Sequence, residues 1–256
     1  LWLGTAYGLV KFDIEREIFS LYEIEVVSNK NYISTVIMDD DGIIWFTTNE
    51  EGIIKFDPVT EKYTQIKVKT DKPVIISENH IIRIYKRRNG KIIGSSPTGI
   101  FEVDPKTNIR KPFPINIGNY PPSILSGVFQ FFEDNEGKIY LGTYVGLLVF
   151  DEKENYAQLY SSDPFDNTTL SSNNIYSLYM DKGGVIWLGT NGLGINKIVP
   201  SKNKFTLHRV TPTGLGIQSI RAIFVDYQDR LWIGGYGNIS FLDRKTHRYT
   251  KFKASN

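Results

Sequence analysis

The residues best suited to acid–base catalysis are few and scattered. The chain has three histidines, His80, His208 and His247, and no cysteine. A lyase needs a histidine base with an acidic partner, and Glu78 next to Asn79 places a carboxylate close to His80 in the chain. The other histidines have no serine or metal ligand at a useful spacing, and no glycine-rich phosphate loop joins a strand to a helix. The sequence therefore predicts a chain without catalytic activity or a cofactor.

Aspartates recur along the chain in two sets that resemble cation ligands. One set precedes a turn and comprises Asp39, Asp134, Asp181 and Asp226. The other set comprises Asp13, Asp57, Asp104, Asp151 and Asp243. The members of a set are widely spaced, so their carboxylates need not converge as a calcium site requires. An aspartate also accepts hydrogen bonds from the backbone of a turn. Both sets therefore predict turns, and no metal site.

These aspartates belong to a sequence repeat. The segment 181–198, DKGGVIWLGTNGLGINKI, has relatives throughout the chain, with an aromatic or apolar residue at spacings of 43, 48, 47, 47 and 45 residues. The aligned positions are Trp2, Trp45, Ile93, Tyr140, Trp187 and Trp232. A fixed period in this range is typical of propellers and other repeat folds. The six repeats cover approximately 1–28, 29–76, 77–122, 123–170, 171–215 and 216–256, and together they predict a single domain over 1–256.

Each repeat predicts four antiparallel strands. An alternating apolar run leads to a hairpin turn of the Asp-x-x-Gly type, a second strand of the IWLGT type, a short glycine-containing connection, a third strand and a fourth. Repeated four-stranded units of this length predict an all-β fold, a β-propeller of four-stranded blades. The chain starts inside a second strand, which gives 23 strands. We expect an incomplete seven-bladed ring whose remaining pieces lie outside this sequence; a closed six-bladed ring with one thin blade is the alternative.

The best candidates for ligand binding lie where the connections and the first strands meet at one end of the blades. The residues that start the first strands are Asn31, Asn79, Ser126, Asn173 and Gln218. The connections carry Tyr7, Asn49, Glu50, Thr98, Tyr144, Asn191 and Tyr236, and Tyr120 lies in a proline-rich loop of the same rim. Tyrosine and asparagine suit sugars, since they offer a flat apolar face and polar groups for hydroxyls. The structural alternatives are that the asparagines cap loops and the tyrosines pack between blades.

Charge and hydropathy limit the possible partners. The 30 basic and 28 acidic residues give a net charge of +2, so there is no electrostatic case for nucleic acid. No apolar run approaches the roughly 18 residues that a membrane span needs. A small basic cluster, Lys86, Arg87 and Arg88, is predicted to be a solvated turn.

The stretch 161–194 resembles the two-component regulator propeller repeat. Its matching residues are Asp163, Pro164, Leu170, Ser171, Asn173, Ile175, Asp181, Gly184, Trp187, Gly189 and Thr190. The third repeat departs from the pattern with Arg87 for aspartate, and the sixth has Asp229 where the turn glycine is expected.

The resemblance implies the periplasmic sensor region of a hybrid histidine kinase and response regulator. Such a parent is anchored in the inner membrane, is expected to be a homodimer, and carries a second propeller and a β-sandwich. The resemblance also implies an oligosaccharide ligand whose binding is relayed to the kinase. The alternatives are a protein–protein scaffold, which exposed apolar rims would favour, and a propeller lyase.

Overall fold

The computed structural model describes residues 1–22, 24, 32–48, 50–66, 79–166, 168–199, 204–208, 219–236, 238–246 and 248–253. Those residues form 23 strands in six antiparallel sheets, one with three strands and five with four. The all-β propeller fold and the strand count are thus confirmed. We call the sheets blades one to six in chain order. The chain divides into two compact units. The first unit comprises Leu1–Pro114 and Pro121–Val128, and the second comprises Ile115–Tyr120 and Phe129–Asn256.

The first unit contains blades one to three. Blade one is β1 Trp2–Thr5, β2 Gly8–Asp13 and β3 Ile18–Tyr22. Blade two is β4 Ile33–Met38, β5 Ile44–Thr48, β6 Ile53–Asp57 and β7 Lys62–Ile66. Blade three is β8 Arg83–Lys86, β9 Ile92–Ser96, β10 Gly99–Asp104 and β11 Ile109–Pro112. A short 3₁₀ helix, Pro122–Gly127, follows and contains the predicted rim residue Ser126.

The second unit contains blades four to six. Blade four is β12 Gln130–Glu133, β13 Ile139–Gly142, β14 Leu147–Asp151 and β15 Tyr156–Tyr160. Blade five is β16 Ile175–Met180, β17 Ile186–Thr190, β18 Ile195–Val199 and β19 Lys204–His208. Blade six is β20 Ile220–Val225, β21 Arg230–Gly235, β22 Asn238–Asp243 and β23 Arg248–Lys253.

The first set of aspartates closes the hairpin between the first two strands of a blade. In blade five, Oδ1 of Asp181 accepts the backbone N–H groups of Gly183 and Val185, while Oδ2 accepts the indole N–H of Trp187 over 3.2 Å. The same indole bond joins Trp45 to Asp39 in blade two, over 2.7 Å. The turn prediction is confirmed, and the carboxylate also fixes the repeated tryptophan.

Blade three has lost both members of this pair. Arg87 replaces the aspartate and Ile93 replaces the tryptophan. The side chain of Arg87 is buried, with its guanidinium over the ring of Phe113 at 5.6 Å from the centroid. The prediction of a solvated turn at Arg87 was therefore wrong, because its side chain packs on Phe113 instead of extending into solvent.

The second set of aspartates caps the turn between the third and fourth strands. Oδ1 of Asp104 accepts the N–H groups of Lys106 and Thr107, and Oδ1 of Asp243 accepts those of Lys245 and Thr246. These donors stabilise the ionised form, so the pKa of both carboxyls lies below its ordinary value. The turn reading of this set is confirmed.

The glycine of the IWLGT motif determines how closely the next blade packs. A Cβ on Gly189 would lie 2.4 Å from Cγ2 of Ile220, and one on Gly142 would lie 3.0 Å from Cγ2 of Ile175. Where blade three has Ser95 instead, its hydroxyl donates to the carbonyl of Val128 over 2.8 Å. Because Ile175 and Ile220 lie at the start of the next blade, the motif positions the first strands of blades five and six. Apolar side chains of successive blades then form shared clusters, such as the one around Trp187 and Leu231.

Candidate functional site

A β-bulge lies at the start of the first strand in several blades. The bulged residues are Tyr176 in blade five and Arg221 in blade six, each between a buried isoleucine and the next paired residue. In blade four, Phe129 has the equivalent position and donates its N–H to the carbonyl of Gly142. A bulge turns its extra side chain out of the normal alternation. The bulges therefore bring one side chain per blade to the end where the connections lie.

In the second unit these side chains meet the connection residues in one row. Phe129 packs edge-on against Tyr144 with ring centroids 4.4 Å apart, and against Tyr176 at 4.8 Å. The guanidinium of Arg221 lies over Tyr176 at 4.1 Å from the centroid. We call the row Tyr144, Phe129, Tyr176, Arg221 and Tyr236 the aromatic ladder.

The far end of the aromatic ladder is held by a second contact to Arg221. Its guanidinium lies 4.9 Å from the ring centroid of Tyr236, and Nη2 donates to the tyrosine hydroxyl over 3.3 Å. Tyr144 is 55% exposed and Tyr236 is 74% exposed, so the row faces solvent. Together the contacts form a continuous strip of rings across three blades, ending in a cation beside a hydroxyl.

The structure brings some predicted rim residues to this strip. Tyr144 and Tyr236 belong to it, and Asn191 occupies the equivalent connection of blade five, exposed and with its N–H bonded to the carbonyl of Asn174. Asn173 has a structural role, since its Oδ1 accepts the N–H of Ser162 over 2.6 Å. This is the loop-capping alternative that the sequence left open. Asn79, in the first unit, is half-buried.

Other predicted residues lie elsewhere. Tyr7 and Glu50 are exposed in connections of the first unit. Tyr120 is half-buried in the second unit, and no ring contact within the described residues joins it to the aromatic ladder. Asn31, Asn49, Gln218, Glu78 and His247 lie outside the described residues. His80 is half-buried, and the described part of the chain holds no cluster of three potential metal ligands.

Sequence reasoning missed three members of the aromatic ladder, Phe129, Tyr176 and Arg221. A signal was present, because the equivalent positions Ser34, Ile82, Phe129, Tyr176 and Arg221 recur at the repeat spacing. They fall inside the predicted first strands, where alternation alone does not reveal a bulge. A further clue is that their residue types differ between repeats while the preceding position is always isoleucine or valine.

A second concave feature lies at the opposite end of blades four and five. It is a cleft of about 460 Å³, and its lining includes Asp134, Lys138, Tyr140, Tyr160, Met180 and Gly184. Tyr140 replaces the repeated tryptophan here and donates its hydroxyl to Oδ2 of Asp134 over 3.1 Å. Burial and the neighbouring Asp134 carboxylate raise the pKa of Tyr140 well above its ordinary value, so it remains a donor. The cleft is thus lined by a single phenol ring at the position where three other repeats have an indole next to their aspartate.

Comparison with known proteins identifies the repeat. The profile of the family described as two component regulator propeller matches residues 28–50, 169–192 and 214–237. These ranges fall in the second, fifth and sixth repeats. Each includes the tryptophan of the IWLGT-type strand, which is Trp45, Trp187 or Trp232. The resemblance read from the sequence is therefore confirmed.

A curated relative is histidine kinase P4 of Formosa agariphila. It is 30% identical over 170 residues, which are 65% of this chain and 12% of that protein. The chain thus matches about one eighth of the length of this relative.

Solved structures share the fold. The extracellular domain assigned to a one component system of B. thetaiotaomicron aligns over 100% of this chain and 42% of its own, with a TM-score of 0.71 and 18% identity. The extracellular domain assigned to a second, hybrid two component system of that organism aligns over 100% of this chain and 38% of its own, with a TM-score of 0.58 and 18% identity. At this identity the likeness establishes the propeller fold alone.

Proposed function

Because the chain is built from two component regulator propeller repeats, we propose that it is the ligand-sensing propeller of an extracytoplasmic sensor region, which binds an oligosaccharide and signals to a histidine kinase. The named relatives support the sensor role, since one is a histidine kinase and others are extracellular domains of signalling systems. In this proposal the chain has no catalytic activity of its own.

The proposed setting is the periplasm, in a parent protein anchored in the inner membrane. Within the described ranges, no helix has the length and apolar character of a membrane span. The chain covers 42% of the extracellular domain of one similar structure, which leaves room in such a parent for a second propeller and a β-sandwich. Sugar binding would then be relayed through rearrangement of a homodimer.

The aromatic ladder is the observation that carries the oligosaccharide proposal. A sugar ring has an apolar face that stacks on an aromatic ring, while its hydroxyls need polar partners at the edge. The ladder offers rings at Tyr144, Phe129 and Tyr176 in unbroken contact, with two tyrosine hydroxyls in the row and Asn191 exposed in the connection of blade five. A strip across three blades suits several linked sugars better than a single one.

The proposal is tested by titrating the full-length protein with a panel of oligosaccharides in a calorimeter. We expect saturable binding to one glycan class that weakens about tenfold in Tyr144→Ala and in Tyr176→Ala, the loss typical of an anchoring aromatic residue. The matched control is Tyr227→Ala, because Tyr227 is 89% exposed at the opposite end of blade six. Binding that survives both ladder substitutions would contradict this site, and binding to no glycan would contradict the function.

A protein–protein scaffold is the second candidate, favoured by one apolar face of blade six. Phe224, Ile239 and Phe252 are 56%, 52% and 44% exposed on the same face of that sheet. The two functions separate by mutation. A partner protein bound to this face would be lost on Phe224→Ser and retained in Tyr144→Ala, whereas a sugar bound to the aromatic ladder would show the reverse pattern.

A further inference from the structure

Arg221 has no carboxylate partner among the described residues, unlike Arg230 and Arg244 of the same blade. Arg230 pairs with Asp226 over 2.6 Å, and Arg244 pairs with Asp181 and Asp229 over 2.9 and 2.8 Å. None of the salt bridges among the described residues includes Arg221. Its charge is nevertheless held at a defined place, between two tyrosine rings.

The contacts of Arg221 pre-organise its guanidinium. Ring faces at 4.1 and 4.9 Å and the bond to the Tyr236 hydroxyl at 3.3 Å restrict a side chain that is otherwise exposed. Stacking on aromatic faces occupies the plane of a guanidinium and leaves N–H donors at its edge for other acceptors. A planar fork of N–H groups matches the two oxygens of a carboxylate or of a sulfate ester. The position of Arg221 in a bulge points this fork toward the connection end of the blade.

We infer that the aromatic ladder recognises an acidic oligosaccharide, in which a sugar carboxylate or sulfate binds Arg221 while neighbouring sugar rings stack on the tyrosines. This inference rests on the proposed function, because it specifies the chemistry of the ligand at the same site. It goes further in requiring a negative charge at a fixed point along the glycan. Neutral glycans of the same ring structure would use the rings alone.

The test uses matched pairs of oligosaccharides on the full-length protein. Oligogalacturonate, oligomannuronate and oligoglucuronate are each compared with their methyl esters, and sulfated oligosaccharides with their desulfated forms. We expect one acidic member to bind at least about tenfold tighter than its neutral counterpart, a difference appropriate to a charge-assisted bidentate bond. A preference lost in the methyl esters would identify the bound acidic group as a carboxylate, and one lost in the desulfated forms would identify it as a sulfate.

Substitution of Arg221 ties the preference to this residue. Arg221→Gln is expected to reduce the acidic-to-neutral affinity ratio to about one, and Arg221→Lys, which keeps the charge and loses the planar fork, to give an intermediate ratio. A general disturbance of the aromatic ladder would weaken the binding of acidic and neutral ligands alike. The ratio of their affinities would therefore stay unchanged. The control is Arg16→Gln, which removes an arginine that is 78% exposed in blade one.

Each outcome decides the inference. An acidic preference that disappears in Arg221→Gln supports it. Equal affinity for both members of every pair, tighter binding of neutral members, or a preference unchanged in Arg221→Gln overturns it and leaves the oligosaccharide function standing. The absence of binding by every pair overturns both the inference and the proposed function.

Discussion

The indole N–H of Trp232 donates to Oδ2 of Asp226 over 2.7 Å, joining two residues six positions apart on facing strands of one hairpin. Oδ1 of the same carboxylate accepts the backbone N–H groups of Gln228 and Arg230. The turn and the packing of the tryptophan therefore depend on one ionised side chain. Three of the four repeats that keep the aspartate have this indole bond, and Tyr140 supplies an equivalent hydroxyl in the fourth.

The ionisation of Asp226 should make stability depend on pH in acid. Desolvation opposes ionisation most strongly, but bonds from Trp232, Arg230 and Gln228 together lower the pKa of Asp226 from 3.8 to about 2. A carboxyl whose folded pKa is depressed adds stability that is complete above its unfolded pKa and is lost as pH falls through the folded value. We therefore expect the melting temperature of Asp226→Asn to fall less steeply between pH 4 and pH 2 than that of the wild type.

Thermal unfolding from pH 2 to pH 7 measures this effect. Trp232→Phe removes one donor and should give a slope between those of the wild type and Asp226→Asn. The control is Trp2→Phe, because the three strands described for blade one do not include one that leads into such an aspartate. Parallel curves for the wild type and Asp226→Asn would show that the carboxylate does not contribute in this way.

Gly189→Ala should destabilise the second unit by about 1–3 kcal/mol, the usual cost of overpacking. The new Cβ would lie 2.2 Å from Oγ of Ser177 and 2.4 Å from Cγ2 of Ile220, and both neighbours are buried. The matched control is Gly234→Ala at the same motif position of blade six, where the nearest atom is Cβ of Ala222 at 3.6 Å. Urea denaturation compares the two, and equal stabilities would mean that the motif glycine does not set blade spacing.

Arg244→Ala should cost about 1.5–3 kcal/mol, the range for hydrogen bonds to charged groups. Arg244 links blade six to blade five, because its guanidinium contacts the buried Asp181 at 2.9 Å and lies 5.5 Å from the ring centroid of Trp187. Arg16→Ala is the control, since the pair of Arg16 with Asp13 is exposed and 4.0 Å long. A loss no larger than that of Arg16→Ala in urea denaturation would contradict a role in joining the blades.

Tyr140→Trp should fill the cleft between blades four and five and stabilise the protein by about 0.5–2 kcal/mol, as cavity filling commonly does. The indole N–H is expected to bond to Asp134 as it does to the equivalent aspartate in blades two, five and six. Urea denaturation gives the stability, and calorimetry locates the ligand. Unchanged glycan binding agrees with a site on the aromatic ladder, whereas lost binding would assign the ligand to the cleft.

The sequence alone predicted the fold because the repeat contains its own turn chemistry. Asp181, Gly184 and Trp187 each have a local reason for their position, and their spacing reports the strands directly. Two members of the aromatic ladder, Tyr144 and Tyr236, were predicted as rim residues because connections are recognised as loops. Tyr176 and Arg221 were missed because a bulge depends on the packing of one blade against the next. The alternation of apolar and polar residues along a single strand does not indicate that packing.

The bulge gives two consecutive residues of one strand different surroundings. Ile175 and Ile220 are buried between blades, whereas the next residue in each strand, Tyr176 or Arg221, contacts other members of the aromatic ladder. An exchange at a bulge position therefore alters the aromatic ladder without altering the buried isoleucine that precedes it. The side chains of this row can in this way change while the contacts that hold successive blades together stay the same.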